Sequence, residues 1–130
     1  RGGSDFLFGG SGNDSLYGSY YGDISSSIDT LEGGTGSDSF ILGSTHSSFY
    51  TNSSSSFANI KDFDFTEDNL KLKKGNAYIT SLTSQNNISG LGIYIDNNSS
   101  GIVDSGDNLI AVLSNKNNYL SIDNINKEYI

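Results

Sequence analysis

The sequence predicts an all-β fold: a short parallel β-roll of nonapeptide repeats followed by a β-rich C-terminal cap. Three observations carry this reading. Residues 9–17 read Gly-Gly-Ser-Gly-Asn-Asp-Ser-Leu-Tyr and residues 33–41 read Gly-Gly-Thr-Gly-Ser-Asp-Ser-Phe-Ile. Both fit the pattern G-G-x-G-x-D-x-U-x, where U is a large apolar residue, and each match fixes every non-x position. Downstream, strand-type runs recur to the end of the chain, and no segment sustains a helical period of about 3.6 residues. Ser, Asn and Gly are abundant throughout, so little helix is expected.

Each nonapeptide is half loop and half strand. Closely spaced glycines allow positive φ, so the backbone turns tightly and points carbonyl oxygens to one side. The Asp at the sixth position adds a carboxylate to that cluster. The x-U-x segment is extended and turns one apolar side chain inward. A single repeat cannot bury that face, so repeats must stack. Clustered carbonyl and carboxylate oxygens suit calcium, a hard cation that takes six to eight oxygen ligands in irregular geometry.

Counting in register gives four repeats. Gly3-Ser4-Asp5-Phe6-Leu7-Phe8 is the tail of a truncated one, and Arg1 stands where a glycine is expected. Asp29-Thr30-Leu31-Glu32 is the tail of a degraded one whose loop, residues 24–28, has lost its glycines. Residues 18–23 form an insertion ahead of it. Alternate repeats stack on the same side, which pairs Asp5 with Asp29 and Asp14 with Asp38. The expected ligands in the roll are Asp5, Gly10, Gly12, Asp14, Asp29, Gly34, Gly36 and Asp38, the glycines through their backbone. Leu7, Leu16, Leu31 and Phe40 form the expected narrow core. Flexible linkers share the Gly/Ser/Asp composition but lack the periodic apolar residue.

Residues 1–42 thus form the roll and residues 43–130 the cap. Residues 43–56 read as a loop. Strand signals follow at Phe57–Phe65, Asn69–Lys73, Tyr78–Leu82, Gly92–Asp96, Leu109–Leu113 and Glu128–Ile130. Between two of them, residues 96–107 read Asp-Asn-Asn-Ser-Ser-Gly-Ile-Val-Asp-Ser-Gly-Asp. Set on the twelve-residue EF-hand loop, Asp96, Asn98 and Ser100 take the first, third and fifth positions, and Gly101 the bend. Ile102 offers its carbonyl, Asp104 takes the ninth position and Asp107 closes the loop. The closing residue is Asp rather than Glu, and the flanks read as strands, not helices. A polar hairpin loop with Asx turns is the plainer alternative.

Composition narrows the function. The formal charge is −8, with 15 acidic and 7 basic residues. No basic patch exists, which argues against nucleic acid. The acidity suits cation binding and opposes compaction without it. Only 34% of residues are hydrophobic, so bound metal can decide whether the chain folds. There is no Cys, hence neither disulfide nor thiolate site. No apolar run approaches membrane-spanning length. The chain starts with Arg, which reads as a processed or excised piece.

Catalytic signals are sparse. His46, the sole histidine, sits in a Ser-rich loop with no partner motif. No nucleophile elbow, H-E-x-x-H motif or phosphate-binding loop is present. Asp62, Asp64, Glu67 and Asp68 read as a solvated turn between strands or an extra weak cation site. Asn52, Asn87 and Asn98 open N-x-S sequences that match glycosylation acceptors, a weak signal in such a composition.

The nonapeptides resemble the calcium-binding repeats of repeats-in-toxin (RTX) proteins, also called haemolysin-type repeats. Ile60-Lys61-Asp62-Phe63 with Glu67-Asp68-Asn69-Leu70-Lys71-Leu72 is similar to the segment that follows the last repeats in many of them. Residues 92–112 resemble the C-terminal region of bacterial, especially cyanobacterial, members. The ending Glu128-Tyr129-Ile130 resembles an uncleaved C-terminal signal for type I secretion. The resemblance implies calcium between stacked loops, export unfolded through the type I secretion machinery, and folding outside the cell. The expectation is therefore a non-catalytic calcium-binding module of a larger secreted or cell-surface protein. The alternative is a structural subunit of an extracellular filament, surface layer or adhesin, self-associating through open β edges.

Overall fold

The structure is a computed structural model in which residues 3–19, 27–50 and 56–130 are described. Arg1, most of the 18–23 insertion, residues 24–26 of the degraded loop and the Asn52 sequence lie outside those residues.

Among the described residues, ten strands form two sheets. They are β1 (Phe6–Ser11), β2 (Ser15–Leu16), β3 (Ile28–Thr35), β4 (Ser39–Ile41), β5 (Phe57–Ile60), β6 (Asn69–Leu72), β7 (Tyr78–Gln85), β8 (Ile88–Ile95), β9 (Asn108–Leu113) and β10 (Lys127–Tyr129). The six-stranded sheet has the order β1-β3-β5-β9-β8-β7 and the four-stranded sheet β10-β6-β4-β2. The chain alternates between them, so β1-β2, β3-β4 and β5-β6 are successive rungs of a parallel roll. β9 then pairs parallel with β5, and β10 parallel with β6, making a fourth rung. Both sheets therefore run across residue 42 without a break. The change there is one of sequence: repeats build the first two rungs, and ordinary strands build the rest.

The core follows the period-two alternation of half-buried strands. β3 reads Ile-Asp-Thr-Leu-Glu-Gly-Gly-Thr, with Asp29, Leu31 and Gly33 buried between partly exposed neighbours. Leu16, Leu31 and Phe40 are buried, with Leu7 partly so, as expected of inward repeat positions. Ile60, Phe63, Leu70 and Leu72 extend this core into the third rung, where Phe40 and Phe63 meet with ring centroids 5.9 Å apart. β8 and β9 are almost continuously buried.

The cap strands lie near their expected places, with two instructive differences. The run 57–65 stops as a strand at Ile60, because Asp62–Thr66 turns back under the repeat loops. The signals at 78–82 and 92–96 grow into one long hairpin, β7–β8, closed by Asn86 and Asn87. Both have positive φ, 53° and 64°, the two-residue turn whose twist matches antiparallel strands. The sole described helical element is a 3-10 turn, η1, at Ile122–Asn124.

Rungs one and two touch through glycines. Gly10 and Gly34 are register partners, as are Ser11 and Thr35. Gly34 has φ +92°, and a Cβ there would collide with the carbonyl oxygen of Gly10. Gly75 has φ +98° but open space around it. Gly34→Ala is thus expected to cost about 3 kcal/mol or more, from left-handed strain plus overpacking. Gly75→Ala should cost only about 1–2 kcal/mol, from strain alone. Urea denaturation of both variants in calcium checks this; equal losses would contradict the close stacking of the loops.

Candidate metal centre

The sixth-position aspartates stack in two columns, one at each end of the rungs. Asp5 N–H donates to Asp29 Oδ1 at 2.8 Å, and Asp14 N–H to Asp38 Oδ1 at 2.9 Å. Each carboxylate thus holds the aspartate of the rung before it. The stacking fixes the sheet register locally, since Thr30 N–H donates to Asp5 O and Ser39 N–H to Asp14 O, both at 2.8 Å. The two intact loops are tied further by Gly12 N–H to Thr35 O and by Ser37 N–H to Asn13 Oδ1.

The second column runs one rung beyond the repeats. Asp38 N–H donates to Asp68 Oδ1 at 2.8 Å, and Asp64 N–H to Asp68 Oδ2 at 2.8 Å. This corrects the reading of the 62–68 acidic run as a solvated turn. Asp68 is buried, at 2% exposure, and Asp62 accepts Gly33 and Gly34 N–H through its two oxygens. Only Asp64 and Glu67 are exposed. The sequence hid this because 30 residues, not 24, separate Asp68 from Asp38. Burial pushes the Asp68 carboxyl above the usual carboxylate range, with the Asp38 and Asp64 charges adding to it against the two N–H bonds. Asp68 therefore favours the fold below its unfolded pKa, and that support is lost as pH rises through the folded value.

The second oxygens matter most for a ligand. Asp14 Oδ2 and Asp38 Oδ2 are buried and make no hydrogen bond. Asp14 Oδ2 lies over the Cα of Gly9: a Cβ built there would sit 2.7 Å from it and 2.7 Å from the Gly33 carbonyl oxygen. Asp38 Oδ2 lies over Gly33 in the same way. A buried carboxylate oxygen left without a partner is costly. Among the described residues no three His, Cys, Asp or Glu side chains converge. A cation on this flank would therefore lean on backbone carbonyls beside one or two carboxylates, an all-oxygen set that fits calcium. Gly10, Gly12, Gly34 and Gly36, all with positive φ, line the same stacked loops.

The Asp5/Asp29 flank, expected to hold a second ion, is arranged differently. Asp29 is 1% exposed, and its Oδ2 accepts the Tyr50 hydroxyl at 2.9 Å. No spacing in the sequence pointed to Tyr50.

The distal loop closes on its own donors. Asp96 accepts Ser100 N–H at 3.2 Å and Gly101 N–H at 2.9 Å, with Gly101 at φ +78°. Asp107 accepts Asn97 N–H and Asp104 N–H, both at 3.0 Å. Ser100 Oγ donates to Ile102 O and to Asp104 Oδ2, which also accepts Asn98 Nδ2 at 2.8 Å. The loop joins β8 to β9, so strands flank it as expected. The hydrogen bond from the Asn98 side chain, foremost, holds the Asp104 carboxyl below its usual value; burial, the next largest effect, opposes it, and Gly106 N–H and Ser100 add to the lowering. His46 is exposed in a Ser-rich turn, with Nδ1 3.3 Å from Thr45 Oγ1.

The family model of the RTX calcium-binding nonapeptide repeat matches residues 1–19 and 24–44, in four copies. This chain carries RTX-type repeats over its first 44 residues, and repeats of this type bind calcium. A comparison with curated proteins gives no match. Among the described residues, no helix is long and apolar enough to cross a membrane.

The lowered Asp104 carboxyl sets the acid response of the distal loop. Its contribution is present above the unfolded pKa near 3.8 and is lost as pH falls through the lower folded value. In chelator, acidification below pH of about 3.8 should release the Asn98 side-chain amide and Gly106 N–H together. Their NMR shifts should move in one titration; invariance through that range would contradict the bonding described.

Proposed function

We propose that the chain is a non-catalytic calcium-binding module that folds in extracellular calcium and supports export of a larger secreted or surface protein. One observation carries this: two buried aspartate oxygens, in stacked glycine loops, lack any protein partner. Asp14 and Asp38 are the carboxylate ligands of the roll site, with backbone oxygens of the loops at Gly9–Asp14 and Gly33–Asp38 completing it. Bound calcium supplies positive charge to oxygens that nothing else in the chain neutralises. A second, independent site is assigned to the distal loop, with Asp96, Asn98, Ser100, Ile102 O, Asp104 and Asp107 as the ligands that calcium would draw together. The hydrogen bonds that now close this loop use the same oxygens, so the cation and the apo loop compete for them. Residues 43–130 serve as the cap, finishing the roll with two further rungs.

Export and folding follow from linkage. A ligand bound only by the native state stabilises it by about 2.7 kcal/mol per site at a hundredfold excess over Kd. Two sites then match a sizeable part of a small domain's stability of about 5–15 kcal/mol. In a low-calcium compartment the Asp columns repel and the loops stay open, which suits passage as an unfolded chain through the type I machinery. RTX repeat proteins are typically secreted this way, which supports the placement outside the cell.

A second reading is a filament, surface-layer or adhesin subunit. The unpaired edge of β1, with Phe6 and Phe8 more than 60% exposed, favours it. Light scattering in calcium separates the two: a monomer supports the module, rods or large assemblies the subunit.

Circular dichroism tests the folding claim. In chelator the 1–42 roll should contribute no β signal, which calcium restores cooperatively. Magnesium should substitute poorly, because it demands a small regular octahedron. A complete β signal already present in chelator would reduce calcium to an accessory.

A further inference from the structure

Three sixth-position aspartates are seated alike. Asp14 packs its carboxylate over Gly9, Asp29 over Gly18 and Asp38 over Gly33, each so close that a Cβ on the glycine would strike it. Asp29 and Asp38 each give Oδ1 to the N–H of the preceding rung. They differ at the second oxygen. Asp14 Oδ2 and Asp38 Oδ2 are buried without a partner, whereas Asp29 Oδ2 accepts the hydroxyl of Tyr50 at 2.9 Å. Tyr50 is 2% exposed. Its φ of +57° is a left-handed conformation that a side chain of this size rarely adopts. The neighbouring Phe49 N–H, bonded to Leu42 O at 2.9 Å, pins the segment to the end of the β4 run. The chain accepts local strain and turns a bulky phenol inward toward one buried carboxylate.

We propose that Tyr50 closes the Asp5/Asp29 flank of the roll to calcium. Its hydroxyl stands at the oxygen a cation would need, so calcium is confined to the Asp14/Asp38 flank. The proposal rests on the reading that unpartnered second oxygens mark the calcium ligands. It accounts for a feature of the sequence: residues ahead of Asp29 have lost the repeat glycines, yet the rung persists with Leu31 fully buried. The Tyr50 hydroxyl partners the Asp29 carboxylate there, so the rung holds without a bound ion. One flank is then held by the protein itself and the other by metal. Calcium then gates one flank of the contact between rungs one and two.

Calcium titration by calorimetry on the full chain tests this with three variants. Asp38→Asn should bind one calcium fewer than the wild type. Asp29→Asn should bind the same number as the wild type. Tyr50→Phe, which keeps the ring and leaves Asp29 Oδ2 unpartnered, should bind one calcium more. If Asp38→Asn loses nothing, the reading of the Asp14/Asp38 site falls, and the asymmetry with it. If Asp38→Asn and Asp29→Asn each lose one, the site reading stands and the Tyr50 proposal is overturned. An unchanged count in a folded Tyr50→Phe also overturns it. Should that variant not fold, crystals of the wild type in calcium decide: an anomalous peak at Asp14/Asp38 with none against Asp29 Oδ2 supports the proposal, and a peak against Asp29 Oδ2 refutes it.

Discussion

Asp5, Asp14 and Asp38 are each held by a carboxylate one rung further on, and the register of both sheets depends on these bonds. An Asp carboxylate has two oxygens, and the stack consumes only one. Asp29 and Asp38 spend Oδ1 on the N–H of Asp5 and Asp14, which sets the strands that follow side by side. The glycines exist because the carboxylates need room: the side chains of Asp14 and Asp38 occupy the space a Cβ would take on Gly9 and Gly33. Sequence pattern, loop geometry and charge accumulation are thus one constraint seen three ways.

The constraint leaves negative charge in a line, and the structure discharges it differently at each place. At Asp29 a phenol donates. At Asp68 two backbone N–H groups donate, and burial favours the protonated form. At Asp62 the carboxylate caps Gly33 and Gly34, ending the glycine stack where no further repeat follows. Among the described aspartates, Asp14 and Asp38 keep a buried oxygen with no donor. On the proposed reading, the roll's calcium dependence concentrates on a single contact between two loops, although the roll has four rungs.

Much of this was legible from the chain. The nonapeptide period placed Asp5 against Asp29 and Asp14 against Asp38, because a fixed repeat leaves one stacking register. The inward Leu31 and Phe40 followed from the alternation of strands. The bend at Gly101 and the strands on either side of the distal loop were legible too. Tyr50 and Asp68 were not. Tyr50 reaches Asp29 through a non-repetitive segment, and its left-handed φ leaves no mark in composition. Asp68 arrives six residues late for the period, so a pattern-based reading set it among solvated acids. The fourth rung was also hidden: β9 and β10 join the sheets as parallel strands only after a hairpin and a long loop intervene.

Stability should accordingly be uneven. β8 and β9 are nearly all buried and paired on both sides, whereas the repeat loops depend on charge balance as well as packing. Hydrogen exchange of the full chain, with calcium and with chelator, reads this directly. The account predicts that amides of residues 9–14 and 33–38 exchange freely in chelator and become strongly protected in calcium. Those of residues 91–95 and 109–113 should stay protected in both. Repeat loops equally protected in chelator would contradict the claim that two unpartnered aspartate oxygens make this roll depend on calcium.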